Sequence, residues 1–321
     1  MYKIGIDIGG TKCAVILGSI EKNNDVKFIG TSFFATVKDN TYTTTLNIIE
    51  SELIKLIEAN NLKFADIASI GISCGGPLDS KTGVIMSPPN LPGWDDVHIV
   101  EYFERKYNIK TVLENDANAC ALAEWQFGAG KNKNLSNVIF ITCGTGFGSG
   151  LILDGKLYSG TNGMAGEIGH IRCEKIGPVG YGKAGSFEGF CSGGGIAQIA
   201  KLKLLEVFQR GEKASFCESI DDIDAVTAKT VADAANNGDE LALEIYKTSG
   251  RYLGYSLAVL VDLLNPEMII IGSIYKRCEN LLKPECEAVL REEALKHSLD
   301  VCEVVPAVLG DDIGLYAALA L

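Results

Sequence analysis

Two glycine-rich turns in this chain have residue types that suit the phosphates of a nucleotide. The first follows the apolar residues 4–8 and precedes a second apolar segment. Its glycines let backbone N–H groups approach an anion without an intervening Cβ, and its threonine and lysine add a hydroxyl and a positive charge. An aspartate one position before the strand ends provides oxygen ligands for magnesium. A hairpin that is glycine-rich for structural reasons has the same pattern. The predicted phosphate-binding residues of this turn are Asp7, Gly9, Gly10, Thr11 and Lys12.

The same pattern recurs further along the chain, at residues 138–154. Here Gly144, Thr145 and Gly146 stand between two apolar segments, and they are the predicted phosphate-binding residues of the second turn. Two such turns indicate a duplicated domain, with the nucleotide in a cleft between the two halves.

Asp116 is the candidate catalytic residue, within the segment Glu-Asn-Asp-Ala-Asn at residues 114–118. It follows a predicted short strand at residues 110–113 and precedes a predicted helix at residues 117–127. Open α/β sheets bind their ligands at such strand ends. Position alone leaves two interpretations open, a general base or a helix N-cap.

Strand and helix patterns alternate along the rest of the chain. Helical spacing of apolar residues predicts helices at residues 46–57 and 241–264, and apolar runs predict buried strands at residues 68–73 and 268–272. Strands interleaved with helices are typical of an α/β fold.

Composition narrows the classes of partner. A chain of 321 residues with 47% hydrophobic residues can form two cores, and a net charge of −12 opposes binding to nucleic acid. No apolar run is long enough for a membrane span. The ten cysteines lack the spacing of a disulfide framework, which favours reduced thiols in the cytoplasm.

The paired turns and the Glu-Asn-Asp-Ala-Asn segment resemble the ROK family of sugar kinases, within the actin-like ATPase superfamily, over nearly the whole chain. The resemblance implies a two-lobed, duplicated ribonuclease H-like α/β fold, with residues 1–115 plus 308–321 in one lobe and residues 116–307 in the other. It implies ATP- and Mg²⁺-dependent phosphorylation of a hexose hydroxyl, glucokinase-like at the 6-position, with Asp116 as the general base.

The resemblance also assigns binding residues. Gly272 would lie at the adenosine, with the glycines at 193–195 near the same pocket. The Glu-x-Gly-His signature at residues 167–170 would bind adjacent sugar hydroxyls. The implied sugar-binding residues are Gly76, Asn90, Asn115, Asp116, Glu167, His170 and Glu188. Trp94, near Asn90, is predicted to pack beside the site.

Family members follow that signature with a loop whose three cysteines bind zinc. Residues 179–188 of this chain contain no cysteine, and Cys173 and Cys191 do not match the spacing. We therefore expect no zinc, and we expect the loop to be held by apolar packing of Val179, Tyr181 and Phe187.

The resemblance further implies a homodimer. Regulators in the family carry an N-terminal DNA-binding extension, and the phosphate strand here begins at Tyr2, so we expect no nucleic-acid partner. Three alternatives remain: an N-acetylmannosamine or N-acetylglucosamine kinase, a sugar-sensing regulator without phosphoryl transfer, and an actin-like ATPase that acts on a partner protein. The intact Asp116 opposes the second alternative, and the full set of sugar contacts opposes the third.

Overall fold

The computed structural model of the protein describes residues 2–37 and 41–321. In that part of the chain the strands are β1 (Tyr2–Ile8), β2 (Lys12–Ile20), β3 (Val26–Ala35), β4 (Ile67–Cys74), β5 (Leu78–Asp79), β6 (Val84–Ile85), β7 (Thr111–Asn115), β8 (Val138–Cys143), β9 (Phe147–Leu153), β10 (Lys156–Tyr158), β11 (Val179–Gly180), β12 (Lys183–Ala184), β13 (Met268–Ile271) and β14 (Glu303–Pro306).

The helices of the same residues include several long ones and several of a single turn. They are α1 (Tyr42–Ala59), α2 (Ile99–Tyr107), α3 (Asp116–Gln126), α4 (Phe187–Cys191), α5 (Gly193–Gln209), α6 (Ala228–Asn236), α7 (Glu240–Leu264), α8 (Ile274–Arg277), α9 (Glu279–Glu293), α10 (Lys296–Leu299) and α11 (Ile313–Ala320). None of the described helices combines the length and the apolar character that a bilayer crossing requires.

The chain forms two compact units. The first comprises Met1–Phe140, Gly150–Ala165 and Val308–Leu321, and the second comprises Ile141–Ser149 and Gly166–Ala307. This division does not coincide with the predicted boundary after residue 115, because α3 packs against α11 and so belongs to the first unit. That residues 1–115 plus 308–321 form one functional lobe and residues 116–307 the other stays a prediction.

The first unit is built on a five-stranded sheet in the order β3-β2-β1-β4-β7. Strands β1 and β2 are antiparallel, whereas β1, β4 and β7 are parallel neighbours. Alternate side chains of a strand point to opposite faces, so Val15 and Leu17 of β2 join the core that includes α1, and Ile16 joins a core with Leu315 of α11.

Helix α11 approaches the sheet closely because three glycines face it. A Cβ on Gly5 of β1 would lie 2.9 Å from the Cβ of Ala318, and one on Gly71 of β4 would lie 2.1 Å from the Ala318 carbonyl oxygen. A Cβ on Gly18 of β2 would meet Leu319 at 2.6 Å. The helix therefore fits only against strands that lack side chains at these positions.

The second sheet has the order β10-β9-β8-β13-β14, and the boundary between the units falls within β8 and β9. Strands β13 and β14 are parallel. In the second unit α7 packs against α4, α5, α6 and α9. The α/β class and both strand–turn–strand repeats are thus as the sequence predicts.

Candidate active site

The first phosphate turn connects β1 and β2 in a tight hairpin. The N–H of Gly9 donates to the Lys12 carbonyl oxygen over 3.1 Å. A Cβ on Gly10 would lie 2.6 Å from the Cβ of Asn90 and 2.8 Å from its carbonyl oxygen. Neither glycine has a positive φ. Gly10 therefore provides room for the Asn90 loop, a reason that the sequence did not reveal.

The charged residues of this turn surround the end of β1. Lys12 Nζ lies 5.5 Å from the centroid of the exposed Phe33 ring. The carboxylate of Asp7 lies beside the start of α11, because a Cβ on Gly314 would be 2.6 Å from Asp7 Oδ2. Burial raises the pKa of Asp7 to about 6, repulsion from Asp116 adds to the rise, and Lys12 opposes it. Asp7 and Asp116 are therefore electrostatic neighbours.

The start of α3 tests the N-cap interpretation of Asp116. Asn115 is the N-cap, and its Oδ1 accepts from the N–H of Ala117 at 3.0 Å. Asp116 is the first residue of the helix, so the prediction that it could be only the N-cap is wrong. Its side chain is solvent-accessible, yet desolvation by the surrounding protein raises its pKa. An accessible carboxylate with a raised pKa suits a general base.

Two glycines place the sugar-side turn next to these residues. A Cβ on Gly75 would lie 4.0 Å from Asp116 Oδ2, and one on Gly76 would lie 3.4 Å from Asn115 Nδ2. Since Asn115 Oδ1 is engaged as the cap, its Nδ2 group is the part able to donate to a ligand. Trp94 is 1% exposed and lies 6.1 Å from Tyr42, ring to ring, so it packs as predicted.

Two buried glutamates hold this helix in place, and sequence patterns did not single them out. Glu114 Oε1 accepts from the N–H of Asn115 at 2.8 Å and from Asn118 Nδ2 at 3.0 Å. Glu124, fully buried, accepts three backbone N–H groups, from Ala129, Val308 and Leu309, each at 2.9 Å. The contacts of Glu124 with Val308 and Leu309 join residues distant in sequence, which no local motif can indicate.

The second phosphate turn lies in the second unit. The N–H of Gly144 donates to the Gly146 carbonyl oxygen over 3.0 Å, and Gly193 N–H donates to the Gly144 carbonyl oxygen over 2.8 Å. Gly193 begins α5, which Ser192 caps by accepting from Gly195 N–H. A Cβ on Gly144 would meet only ordinary contacts, the nearest being Ser273 Oγ at 3.5 Å.

A cavity of 910 Å³ opens beside this turn, within the volume that small-molecule sites occupy. Gly144, Thr145, Gly193 and Gly194 form one part of its wall. Seven further lining residues lie on α6 or just before it, and the others come from α5, α7 and the segment after β13. They are Val226, Thr227, Ala228, Lys229, Ala232, Asp233, Asn236, Ala197, Tyr246, Ser273, Ile274, Arg277 and Cys278. Neither Gly146 nor Gly272 is among the lining residues. The N–H of Gly272 instead donates to the Ile141 carbonyl oxygen.

Helix α6 is the part of this wall that sequence reasoning missed. Its lining side chains carry no motif, and only their regular spacing on one face could have indicated a shared surface. The position after Gly272 is occupied by Ser273 at φ 57° and ψ −118°. This conformation is one that glycine adopts freely and serine does not.

The predicted sugar residues of the second unit lie around a short helical turn. Glu167 precedes the turn at residues 168–170, and the His170 N–H donates to the Glu167 carbonyl oxygen at 3.1 Å. Both side chains are exposed. Glu188 Oε2 accepts from the N–H of Phe147 at 3.1 Å, directly after Gly146. Glu188 therefore contacts the second phosphate turn, and only part of its carboxylate remains for a sugar.

The loop without cysteines is held differently from our expectation. Phe187 is buried, but Val179 is 47% exposed and Tyr181 is 75% exposed, so the predicted packing is wrong for these two residues. Val179 is fixed through its backbone, which exchanges hydrogen bonds with the Gln198 amide at 2.8 and 2.9 Å. A short β11–β12 hairpin adds further backbone pairing. Backbone hydrogen bonds, together with the buried side chain of Phe187, thus order the loop.

The predicted site residues fall into two sets. The first unit brings together Asp7, Gly10, Gly76, Asn90, Asn115 and Asp116 through the contacts above. The second unit contains Gly144, Thr145, Gly146, Glu167, His170, Glu188 and Gly272. No group of three or more His, Cys, Asp and Glu among the described residues is arranged to hold a metal ion. That the protein works without zinc stays a prediction.

Residues 3–321 match the ROK family. The chain belongs to this family. A glucokinase of Halalkalibacterium halodurans is 34% identical over 318 residues, which cover 98% of this chain and 92% of that protein. The crystal structure of a ROK family glucokinase from Streptomyces griseus in complex with glucose and AMPPNP has a TM-score of 0.74 at 28% identity, covering 99% of this chain and 98% of that one.

Regulators also resemble this ROK protein. The DNA-binding transcriptional dual regulator NagC of Escherichia coli is 28% identical over 261 residues, 80% of this chain and 61% of that protein. Membership of the family and the two α/β units confirm the ROK sugar kinase and the duplicated fold that the sequence predicted.

Proposed function

We propose that this ROK protein is a glucokinase that transfers the γ-phosphoryl group of ATP to the 6-hydroxyl of glucose. The observation that carries the proposal is the accessible carboxylate of Asp116 at the start of α3, beside the first phosphate turn. The glucokinase names of the full-length relatives support glucose as the acceptor.

Asp116 acts as the general base. It accepts the proton of the sugar hydroxyl as that oxygen attacks the γ-phosphorus, and the O–P bond to ADP breaks. Asn115, whose Nδ2 is not needed for the helix cap, donates to a neighbouring hydroxyl and orients the sugar. Such positioning supplies most of the acceleration in phosphoryl transfer, because the transition state needs little covalent assistance.

The backbone turns bind the phosphates. In the first unit Gly9, Gly10, Thr11 and Lys12 contact the transferring end of ATP, and Lys12 neutralises part of its charge. In the second unit Gly144, Thr145 and Gly146 contact the phosphates, and the cavity beside them takes the nucleoside. Gly272 holds β13 against β8 at the foot of this cavity rather than lining it.

The residues of the first unit fit Mg²⁺. Burial and repulsion from Asp116 raise the pKa of Asp7, and a bound divalent cation would offset both effects. Asp7 would hold the ion, and Asp116 would stay free to accept the proton. Mg²⁺ is usually bound through one or two carboxylates, with waters and substrate phosphates as its other ligands. When bound, it would neutralise charge on the phosphates.

Glu167, His170 and Glu188 contribute sugar contacts from the second unit, and Gly76 and Asn90 contribute them from the first. We place the enzyme in the cytoplasm because its ten cysteines lack the spacing of a disulfide framework. The family resemblance implies a homodimer. The net charge of −12 opposes a nucleic-acid partner. A panel of hexoses and N-acetylhexosamines in a coupled assay decides between glucose and the N-acetylhexosamine alternatives.

Substitution of the base tests the proposal. We expect Asp116→Asn to lower kcat by about 10²–10⁴-fold, because an amide cannot accept the proton, while calorimetric sugar binding persists. Asp239→Asn is the matched control, because Asp239 begins α7 as a true N-cap whose Oδ1 accepts from Ala242 N–H at 2.9 Å. Asparagine caps a helix as well as aspartate does. Near-normal turnover in Asp116→Asn, equal to that of the control, would refute the general-base assignment and favour a sugar-sensing role.

A further inference from the structure

One stripe of α6 faces the cavity beside the second phosphate turn. Lys229, Asp233 and Asn236 all line the cavity, and their spacing of four and then three residues puts them on one face of the helix. They present a cation, an anion and an amide in that order. The helix therefore offers the cavity an ordered series of polar groups.

The start of α6 lies close to the phosphate-binding wall. A Cβ on Gly193 would lie 3.9 Å from the Cβ of Ala228, the first residue of α6. From Ala228 the helix rises about 7.5 Å to Asp233 and about 12 Å to Asn236, at 1.5 Å per residue. A nucleotide presents its phosphates, its ribose and its base in the same sequence. A nucleotide that extends along α6 from the phosphate wall would therefore bring its ribose level with Asp233 and its base level with Asn236.

The side chains of Asn236 and Asp233 both have hydrogen-bonding capacity left for a ligand in the cavity. Asn280 Nδ2 donates to Asn236 Oδ1 at 2.8 Å, which leaves the Asn236 amino group to donate into the cavity. The side chain of Asp233 is exposed, and no hydrogen bond or ion pair of its carboxylate occurs among the described residues. A carboxylate accepts only, and the two ribose hydroxyls each offer a proton.

We propose that Asp233 recognises the ribose of the phosphoryl donor by accepting hydrogen bonds from its 2′- and 3′-hydroxyls, and that Asn236 donates to the base. Asp233 is then the residue that makes the enzyme select ribonucleotides over deoxyribonucleotides. This inference rests on the proposed function, since it assumes that the cavity holds the donor nucleotide.

Calorimetric binding of ATP and of 2′-deoxy-ATP tests the inference without requiring turnover. We expect the wild-type protein to bind ATP about 10-fold or more tightly than 2′-deoxy-ATP, the effect of one hydrogen bond to a charged group. In Asp233→Ala the two nucleotides should bind equally. Glu218→Ala, which removes the same charge from an exposed position of the same unit, should keep the wild-type ratio.

Two results overturn the inference. One is equal affinity of the wild-type protein for the two nucleotides, and the other is a ratio unchanged in Asp233→Ala. Inosine triphosphate separates a base contact from a ribose contact: if the variant loses discrimination against inosine triphosphate but keeps it against 2′-deoxy-ATP, Asp233 reads the base instead. Absence of both ATP binding and glucose phosphorylation in the wild-type protein would refute the proposed function itself.

Discussion

The two phosphate turns share a backbone plan but differ in the charges that flank it. When Gly9 is aligned with Gly144, Asp7 corresponds to Thr142 and Lys12 corresponds to Phe147. The first turn therefore has an anion and a cation at its ends, whereas the second has a hydroxyl and an aromatic ring. The second turn instead uses the Phe147 N–H to bind a carboxylate, that of Glu188.

The two turns also differ in how closely they are packed. A Cβ on Gly10 would overlap the Asn90 loop at 2.6 Å, whereas a Cβ on Gly144 would have 3.5 Å to its nearest neighbour. Gly10 thus serves packing in the first turn, whereas Gly144, which is aligned with Gly9 and not with Gly10, leaves space beside the second turn. The comparison indicates that the first turn has the charged groups and that the second forms part of the wall of the 910 Å³ cavity.

Among the changes that compare the two turns, Asp7→Asn should have the largest effect, measured against Thr142→Val at the aligned position. We expect Asp7→Asn to lower kcat about 10²–10³-fold, the cost of removing one preorganised charge contact, and Thr142→Val to have a much smaller effect. Coupled assays at saturating Mg²⁺ and ATP measure both variants. Equal losses in the two variants would contradict the division of roles between the turns.

The same variant should make the protein more stable. The pKa of Asp7 is raised from 3.8 to about 6, so the folded state disfavours the ionised form, and the full cost is present above pH 6 and absent below about pH 4. At 1.36 kcal/mol per pKa unit, Asp7→Asn should increase the free energy of unfolding at pH 8 by up to about 3 kcal/mol. Urea unfolding at pH 8 without ligands measures the gain, and a loss of stability would contradict the assigned burial cost.

The substitutions Gly10→Ala and Gly144→Ala should separate an effect on folding from an effect on nucleotide binding. Gly10→Ala should destabilise the protein by about 1–3 kcal/mol, because it overpacks the contact with Asn90, and it should weaken sugar binding as well as ATP binding. Gly144→Ala should leave the free energy of unfolding almost unchanged and raise the KM for ATP about 10-fold. Urea unfolding and ATP kinetics of both variants test this. A stable Gly10→Ala with normal sugar affinity would show that the contact is not rigid.

The acid limb of the pH profile should respond to the charges of the first turn and not to changes in the second. Since Asp7 must be ionised, kcat/KM should fall below about pH 6. Lys12 lowers the pKa of Asp7, so Lys12→Met should move this acid limb to higher pH. Gly144→Ala should leave the limb where it is. A limb that stays fixed in Lys12→Met would exclude Asp7 as the titrating group.

The smallest expected effect concerns the strained residue beside the second turn. Ser273 has φ 57° and ψ −118°, and relief of such strain minus the added chain entropy of glycine should give Ser273→Gly a gain of about 1 kcal/mol. Asn265→Gly is the control, because Asn265 ends α7 with φ 44° and ψ 57°, a conformation that asparagine tolerates. Thermal unfolding compares them, and a larger gain at Asn265 would contradict the strain at Ser273.

Local patterns predicted most of the fold, and the site residues that they indicate stay a prediction. Both strand–turn–strand repeats, α3 and the long α7 followed the spacing of apolar residues, because these signals are short in range. The contact of Gly10 with Asn90 and the bonds of Glu124 to the N–H groups of Val308 and Leu309 were not predictable, since each joins distant parts of the chain. Asp233 on α6 escaped notice because a single polar face has no motif.

The packing of α11 on β1 and β4 also affects how the protein folds during its synthesis. Residues of β1 leave the ribosome about 300 positions before those of α11, an interval of roughly 15–60 s at 5–20 residues per second. During that interval Gly5 and Gly71 form an uncovered groove, and Glu124 lacks two of its three N–H partners. The first unit thus cannot finish folding while the second is being synthesised, and Asp7 and Asp116 reach their final surroundings only after residues 308–320 have emerged.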